Sequence, residues 1–323
     1  MFQEINDKQL LLDIENVLAK LGLHGIQSVD ELTGGASHRV FRVQLSKRTM
    51  MVKQLSPKMM SKPMELQYHI NSQLIAKAIT SDKIKTVLAH HNDTEDTIFK
   101  VNSNYYMVYD WMPFEKTNTV TKELCYVMGN TLAQIHNNKI SFERDEPIRK
   151  ENYRHFSSIE LKKCFEGSGF LGLPLLFKIH GIQKKAFNSY VDLNSSHIVS
   201  HCDLTPRNVL WNKNEPIVID WDAAGYINKE KDLMQTLLSW CIVNNCIDNA
   251  LMEGFMDGYF SGGGDINQSQ IEKAYYSVFL EDIEYLQSLE ESNRSIINAA
   301  KELSNRFKKS RVNIKLMKQY FNK

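Results

Sequence analysis

Ile198-Val199-Ser200-His201-Cys202-Asp203-Leu204-Thr205-Pro206-Arg207-Asn208-Val209-Leu210-Trp211 leads through the turn Asn212-Lys213-Asn214-Glu215-Pro216 into Ile217-Val218-Ile219-Asp220-Trp221-Asp222. Two apolar runs too short for helices frame a polar loop. The stretch therefore predicts strand, loop and strand, with His201, Asp203 and Asn208 on the loop and Asp220 at the end of the last strand. Its surroundings are helical in pattern. Upstream, Leu124, Val127, Met128, Leu132 and Ile135 repeat at helical spacing up to His136, and helical patterns return from Leu233 to the end.

Further N-terminal the pattern changes to strands. A helix over about 7–21, with Leu11, Ile14, Leu18 and Leu21 on one stripe and Gly22 as its stop, precedes alternating segments on either side of Gly34-Gly35. A second strand pair follows around 49–55, then a helix with Leu66, Ile70 and Leu74 on one face and Glu65 near its start. Two more strands, 97–101 and 105–111, flank the turn residues Asn102-Ser103-Asn104, and the connector 110–114 closes this part. The expected fold is α+β and bilobal: a small β-sheet N-terminal lobe over 1–112 that includes the hinge, and a larger α-helical C-terminal lobe over 113–323.

The loop carries a definite chemical pattern. Phosphoryl transfer needs an aspartate to meet the attacking hydroxyl, while an amide oxygen and a second carboxylate hold Mg²⁺ against the nucleotide phosphates. The spacing from Asp203 to Asn208 is that of a kinase catalytic loop, and Asp220-Trp221-Asp222 stands where the kinase D-F-G would. The other parts of a protein-kinase-like fold occur upstream in order. Gly34, Gly35 and Ser37 lie in a small-residue loop suited to phosphates, Lys53 is on the next strand, Glu65 is on the next helix, and Asp110, Trp111 and Met112 lie where adenine would meet backbone groups. Each feature alone has an ordinary alternative. The glycines suit a hairpin, Lys53 suits a strand edge, Glu65 suits a helix N-terminus, Trp111 suits a core, and Asp220 suits a turn cap. Together and in this order they point to a kinase-type phosphotransferase.

Composition removes other classes. With 39 Lys+Arg against 38 Asp+Glu in 323 residues, there is no basic excess for a dedicated nucleic-acid binder. Five cysteines without a C-x-x-C pair suggest neither a disulfide framework nor a thiolate zinc site, so a cytoplasmic setting is expected. The absence of about 18 consecutive apolar residues argues against a membrane partner.

With these motifs in place, the sequence resembles the aminoglycoside phosphotransferase and choline kinase superfamily of small-molecule kinases, the aminoglycoside phosphotransferase-like branch above all. The resemblance runs from Glu31 to about Phe260 and is densest from His201 to Leu233. A family loop of the form His-Gly-Asp-Leu-His-Pro-x-Asn here reads His201-Cys202-Asp203-Leu204-Thr205-Pro206-Arg207-Asn208. Ile219-Asp220-Trp221-Asp222, Lys231-Asp232-Leu233, Leu132-Ala133-Gln134-Ile135-His136 and Glu253-Gly254-Phe255-Met256-Asp257-Gly258-Tyr259 match further features. Cys202 replaces the usual glycine and Arg207 a usual small residue, which leaves the carboxylate and amide intact. The resemblance implies Asp203 as catalytic base, Asn208 and Asp220 as Mg²⁺ ligands, and Lys53 on the phosphates of ATP or GTP with Glu65 orienting it. It leaves Asp222 open between an active-site and a structural role, and gives Asp232 to anchoring the loop. Asp232 follows Asp220 too closely for the long activation segment of a protein kinase, so a small-molecule hydroxyl acceptor is expected.

Acceptor choice should fall to the helical lobe. Glu281, Asp282 and Glu284, near Tyr285, would suit a cationic acceptor such as an amino sugar; a solvated helix face is the alternative. The leading expectation is an aminoglycoside-type acceptor, with antibiotic resistance as its biological setting. Kinases of choline, homoserine, methylthioribose or another sugar, and a nucleotide-binding pseudokinase with a regulatory role, are the alternatives. A monomer or homodimer is expected.

Overall fold

The computed structural model describes residues 2–4, 7–32, 38–113, 119–140, 142, 147–166, 172–193, 196–213, 215–289 and 293–322. The chain is α+β and forms two compact units, each discontinuous in sequence. One comprises Met1–Lys116, Ile140–Arg149 and Val209–Ala224; the other comprises Thr117–Lys139, Lys150–Asn208 and Gly225–Lys323. The hairpin Val209–Asn212/Glu215–Val218 forms a separate three-stranded sheet with Lys85–Thr86, to which Glu215–Val218 runs parallel, and so falls in the first unit.

The first unit is built on a six-stranded sheet in the order Phe2–Glu4, Ile26–Leu32, Arg39–Leu45, Thr49–Gln54, Asn104–Asp110, Phe99–Val101, every pair antiparallel. Its first helix, Lys8–Ala19, starts where the Asp7 carboxylate accepts the Gln9 and Leu10 N–H groups, and Gly22 follows it at φ +66°. Leu10, Ile14, Val17 and Leu18 of this helix share a core with Phe41, Val43, Met50, Val52 and Val108 of the sheet. Thr49–Gln54 lies inside the sheet, flanked on both sides. Lys53 is therefore no edge gatekeeper.

The helix Glu65–Ile79 departs from expectation. Leu66 and Leu74 of its apolar stripe are exposed, and the buried residues include Glu65, His69, Ser72, Ala76 and Ile79. The polar face is inward because the helix packs against the turn Trp221–Ala223, which carries Asp222.

The second unit is helical: Lys122–His136, Ser158–Cys164, Gly172–Val191, Lys229–Cys241, Asn249–Ser261, Ile271–Ser277, Phe279–Ser288, Asn293–Lys308 and Ser310–Phe321. Among them runs the antiparallel pair His197–Ser200 and Gly225–Asn228. Lys122–His136 and Asn249–Ser261 touch backbone to backbone, since a Cβ on Gly129 would lie 1.9 Å from the Phe255 carbonyl oxygen and one on Gly258 1.9 Å from that of Tyr126. No helix among the described residues is long and apolar enough to cross a membrane.

Candidate active site

The loop that follows strand His197–Ser200 belongs to the second unit and is fixed by its own hydrogen bonds. The Asn208 Nδ2 donates to the Asp203 backbone oxygen at 2.9 Å and to Asp203 Oδ2 at 2.8 Å. Asp203 N–H donates to His201 Nδ1 at 3.2 Å, Thr205 N–H to the Asp203 oxygen at 2.9 Å, and Asn208 N–H to the Thr205 oxygen at 3.0 Å. The side chains of Gln235 and Trp240 hold the backbone oxygens of Cys202 and Leu204 at 3.0 and 2.8 Å. Arg207 is exposed.

Behind the loop lies a buried chain. Asp232 Oδ2 accepts from the Ser200 hydroxyl at 2.6 Å and is 2.8 Å from His136 Nε2, while His136 Nδ1 is 2.8 Å from the Tyr259 hydroxyl. Asp232 is 1% exposed and His136 7%, so this carboxylate braces the loop from inside the unit. Cys202 has φ +63°, the backbone region in which glycine is cheapest. Burial pushes its thiol pKa well up, with the Asp232 and Glu151 carboxylates adding to the effect. An unreactive thiol is the consequence.

In the first unit, Lys53 is 5% exposed and its ammonium lies 2.7 Å from Asp220 Oδ1 and 2.5 Å from Asp222 Oδ2. Burial works to lower the Lys53 pKa, yet the Asp222 and Asp220 carboxylates outweigh it and the ammonium is held firmly protonated. Burial likewise opposes the Asp222 charge, and Lys53, His38 and His69 reverse that and hold the carboxyl well below the usual range. His38 Nε2 is 3.1 Å from Asp222 Oδ2, and its Nδ1 accepts the Ser56 N–H at 2.9 Å. Asp220 sits at φ +61° with its side chain 46% exposed, so one face of its carboxylate remains open.

Glu65 does not meet Lys53 here. Its Oε1 takes the Arg149 guanidinium at 2.7 Å, and Arg149 also lies over the Tyr68 ring at 4.9 Å. The Lys53 ammonium is satisfied instead by Asp220 and Asp222, which stand on one turn. At the expected adenine segment, the Asp110 carboxylate is 3.0 Å from His90 Nε2, and the Trp111 N–H donates to the Thr49 oxygen at 3.2 Å. Gly34, Gly35 and Ser37 lie outside the described residues; Met112 is partly exposed.

The sequence matches the phosphotransferase enzyme family over residues 28–266. The chain belongs to that family. Among solved structures it is similar to a spectinomycin phosphotransferase in complex with ADP and spectinomycin, with 16% identity, TM-score 0.68, and 94% of this chain and 98% of that one covered. It is also similar to an amicoumacin kinase in complex with AMP-PNP and Ca²⁺ (14%, TM-score 0.69, 93% and 94% covered). A microcompartment-associated aminopropanol kinase gives 14%, TM-score 0.68, and 94% and 99% covered. No curated relative matches the sequence. The protein is accordingly a phosphotransferase-family enzyme with the fold of these kinases.

Asn208 holds Asp203 through its Nδ2, and in the other unit the Asp220 carboxylate is partly exposed. The acidic residues expected to meet an acceptor are divided. Glu281 Oε1 accepts from Lys231 at 2.9 Å and from the Tyr153 hydroxyl at 3.0 Å, beside a Lys231–Glu151 ion pair. Asp282 is bound to Arg306 at 2.7 Å, and burial pushes its carboxyl up to about 6. Glu284 stays exposed, with burial of part of its surroundings and the Glu281 charge raising its pKa. Sequence reasoning missed His38, His69 and Arg149, because nothing in their spacing ties them to the aspartates they approach.

Proposed function

We propose that the protein transfers the γ-phosphoryl group of ATP or GTP, with Mg²⁺, to a hydroxyl of a small amino-bearing acceptor, with Asp203 as the catalytic base. The observation that carries this reading is the fixed Asp203–Asn208 pair, in which one side chain orients the other. In this role the Asp203 carboxylate accepts the acceptor's hydroxyl proton as the phosphoryl group leaves the nucleotide. Lys53 contacts the α- and β-phosphates, and Asn208 and Asp220 hold the metal, which supplies neutralisation of phosphate charge. Gly34, Gly35 and Ser37 cover the phosphates, Glu65 supports Lys53, and Asp110, Trp111 and Met112 meet the base.

The neighbours named for spectinomycin, amicoumacin and aminopropanol support a hydroxylated amine as acceptor. An aminoglycoside-type antibiotic is the leading candidate. Aminopropanol also favours a second reading, a small amino alcohol of metabolism. Exposed Glu284 is the acceptor-side carboxylate in either case, whereas Asp282 is committed to Arg306 and Glu281 to Lys231 and Tyr153.

Nucleotide consumption is measured over a panel of aminoglycosides, spectinomycin and amino alcohols. The wild type should turn over with at least one, and Asp203→Asn should lose about 10²- to 10⁴-fold in kcat, the usual contribution of a positioned base. An unimpaired Asp203→Asn would remove the mechanism. Neutralising Glu284 should raise KM for the cationic acceptor; an unchanged KM would make it surface.

A further inference from the structure

The helix Glu65–Ile79 buries a histidine that the mechanism above does not use. His69 is 0% exposed, and neither ring nitrogen makes a hydrogen bond. Both nevertheless face carboxylates: Nδ1 is 3.6 Å from Asp222 Oδ1, and Nε2 is 3.7 Å from Glu65 Oε1, just outside hydrogen-bond length. Asp222 Oδ1 is itself buried and lacks a hydrogen bond, while Asp222 Oδ2 is taken by Lys53 and His38. A line of neighbouring groups results, Arg149, Glu65, His69, Asp222, Lys53, with His38 joining at Asp222 and Asp220 at Lys53.

His38, His69 and Asp222 also satisfy the distances of a metal site. Their chemistry speaks against one. Because His38 Nδ1 accepts the Ser56 N–H, its Nε2 must carry the proton and has no lone pair for a cation. The remaining oxygen that His38 faces is already occupied by the Lys53 ammonium, which would repel a metal ion.

We propose that His69 is a positioning residue for Lys53: Glu65 acts on the lysine through His69 and Asp222, in place of a direct Lys53–Glu65 ion pair. Only as an imidazolium, with both nitrogens donating, can a histidine satisfy a carboxylate from each, so it is the side chain that can span two anions on neighbouring elements. Glu65 and His69 stand one helical turn apart, which puts both on the face turned to Asp222. Arg149 fixes the far end by holding Glu65. Lys53 is thereby kept at the position where, in the reading above, it meets nucleotide phosphates; the inference rests on that reading.

Binding of AMP-PNP and GMP-PNP, each with Mg²⁺, is measured by calorimetry, and the tighter of the two is followed through the variants. His69→Leu should weaken it about tenfold, within the range of coupling between groups in contact, and His69→Gln should recover most of the loss. Glu65→Gln should weaken binding in the wild type and add nothing in the His69→Leu background. His69→Phe keeps a ring without nitrogens and replaces His69→Leu if the latter loses cooperative unfolding. Wild-type affinity in the apolar variant, or an equal Glu65→Gln loss in both backgrounds, would overturn the relay while leaving nucleotide binding intact. A wild type that binds neither nucleotide would instead overturn the nucleotide reading itself, and the relay with it.

Discussion

The residue with the most unusual demand on the backbone is Cys202. At φ +63° it holds the conformation that the family loop supplies with glycine, and its thiol donates to the Ser200 and Gly225 oxygens at 3.5 Å. Those contacts offset part of the left-handed strain, which for a non-glycine residue is about 1–2 kcal/mol. Cys202→Gly should therefore stay close to wild type in urea unfolding and remain active. Cys202→Val, branched at Cβ, should be less stable by about 2 kcal/mol. Equal stability of the two would mean that the loop relaxes out of the left-handed region. Asp203, Asn208, Lys53 and Asp220 were legible in the sequence because their spacing reports a chemical task. The partner chosen by each was not, since Lys53 meets Asp220 and Asp222 while Glu65 meets Arg149, and such choices depend on distances that sequence order does not encode.

At the scale of elements, the first helix follows its apolar periodicity, with Ile14 and Leu18 in the core and Leu11 and Leu21 packed against it. Glu65–Ile79 breaks the rule: its buried side is polar, and Leu66 and Leu74 are left outside. A helix that serves charged groups cannot be oriented from an apolar stripe, and this is where the sequence misleads. Helices Lys122–His136 and Asn249–Ser261 show the opposite case, in which quoted glycines have a steric reason. Gly258→Ala drives a methyl into the Tyr126 carbonyl and should cost about 3 kcal/mol or more. Gly181→Ala, in Gly172–Val191 with nothing within 4 Å, should be neutral or stabilising by up to about 1 kcal/mol. Thermal unfolding of both variants checks the contrast, and a Gly258→Ala protein as stable as wild type would show that these helices can separate.

Over the whole molecule, 39 basic and 38 acidic residues conceal local asymmetry that the fold pairs up. The basic C-terminal helices reach back to acidic partners, Arg306 to Asp282 and Lys318 to Glu272, both at 2.7 Å. Asp282 makes this pairing pH-dependent. Burial raises its carboxyl from 3.8 to about 6, so the fold binds this proton more tightly than the unfolded chain does. Its contribution is complete below about pH 4 and is lost as pH rises through about 6. Asp282→Asn removes that slope, so its thermal midpoint should gain on the wild type from pH 4 to pH 7. A constant difference across this range would place the Asp282 pKa in the ordinary range.

The central claim, that a nucleotide-derived phosphoryl group is passed to a small hydroxylated amine under control of Asp203, is tested most directly by phosphorus NMR. Wild type and Asp203→Asn are each given nucleotide, Mg²⁺ and the acceptor panel after calorimetry has fixed their nucleotide affinities. The prediction is a new phosphate-ester signal with the wild type, and its loss in Asp203→Asn at nearly unchanged nucleotide affinity. Ester formation at the same rate in both proteins, or nucleotide bound without any ester from any acceptor in the wild type, would contradict it.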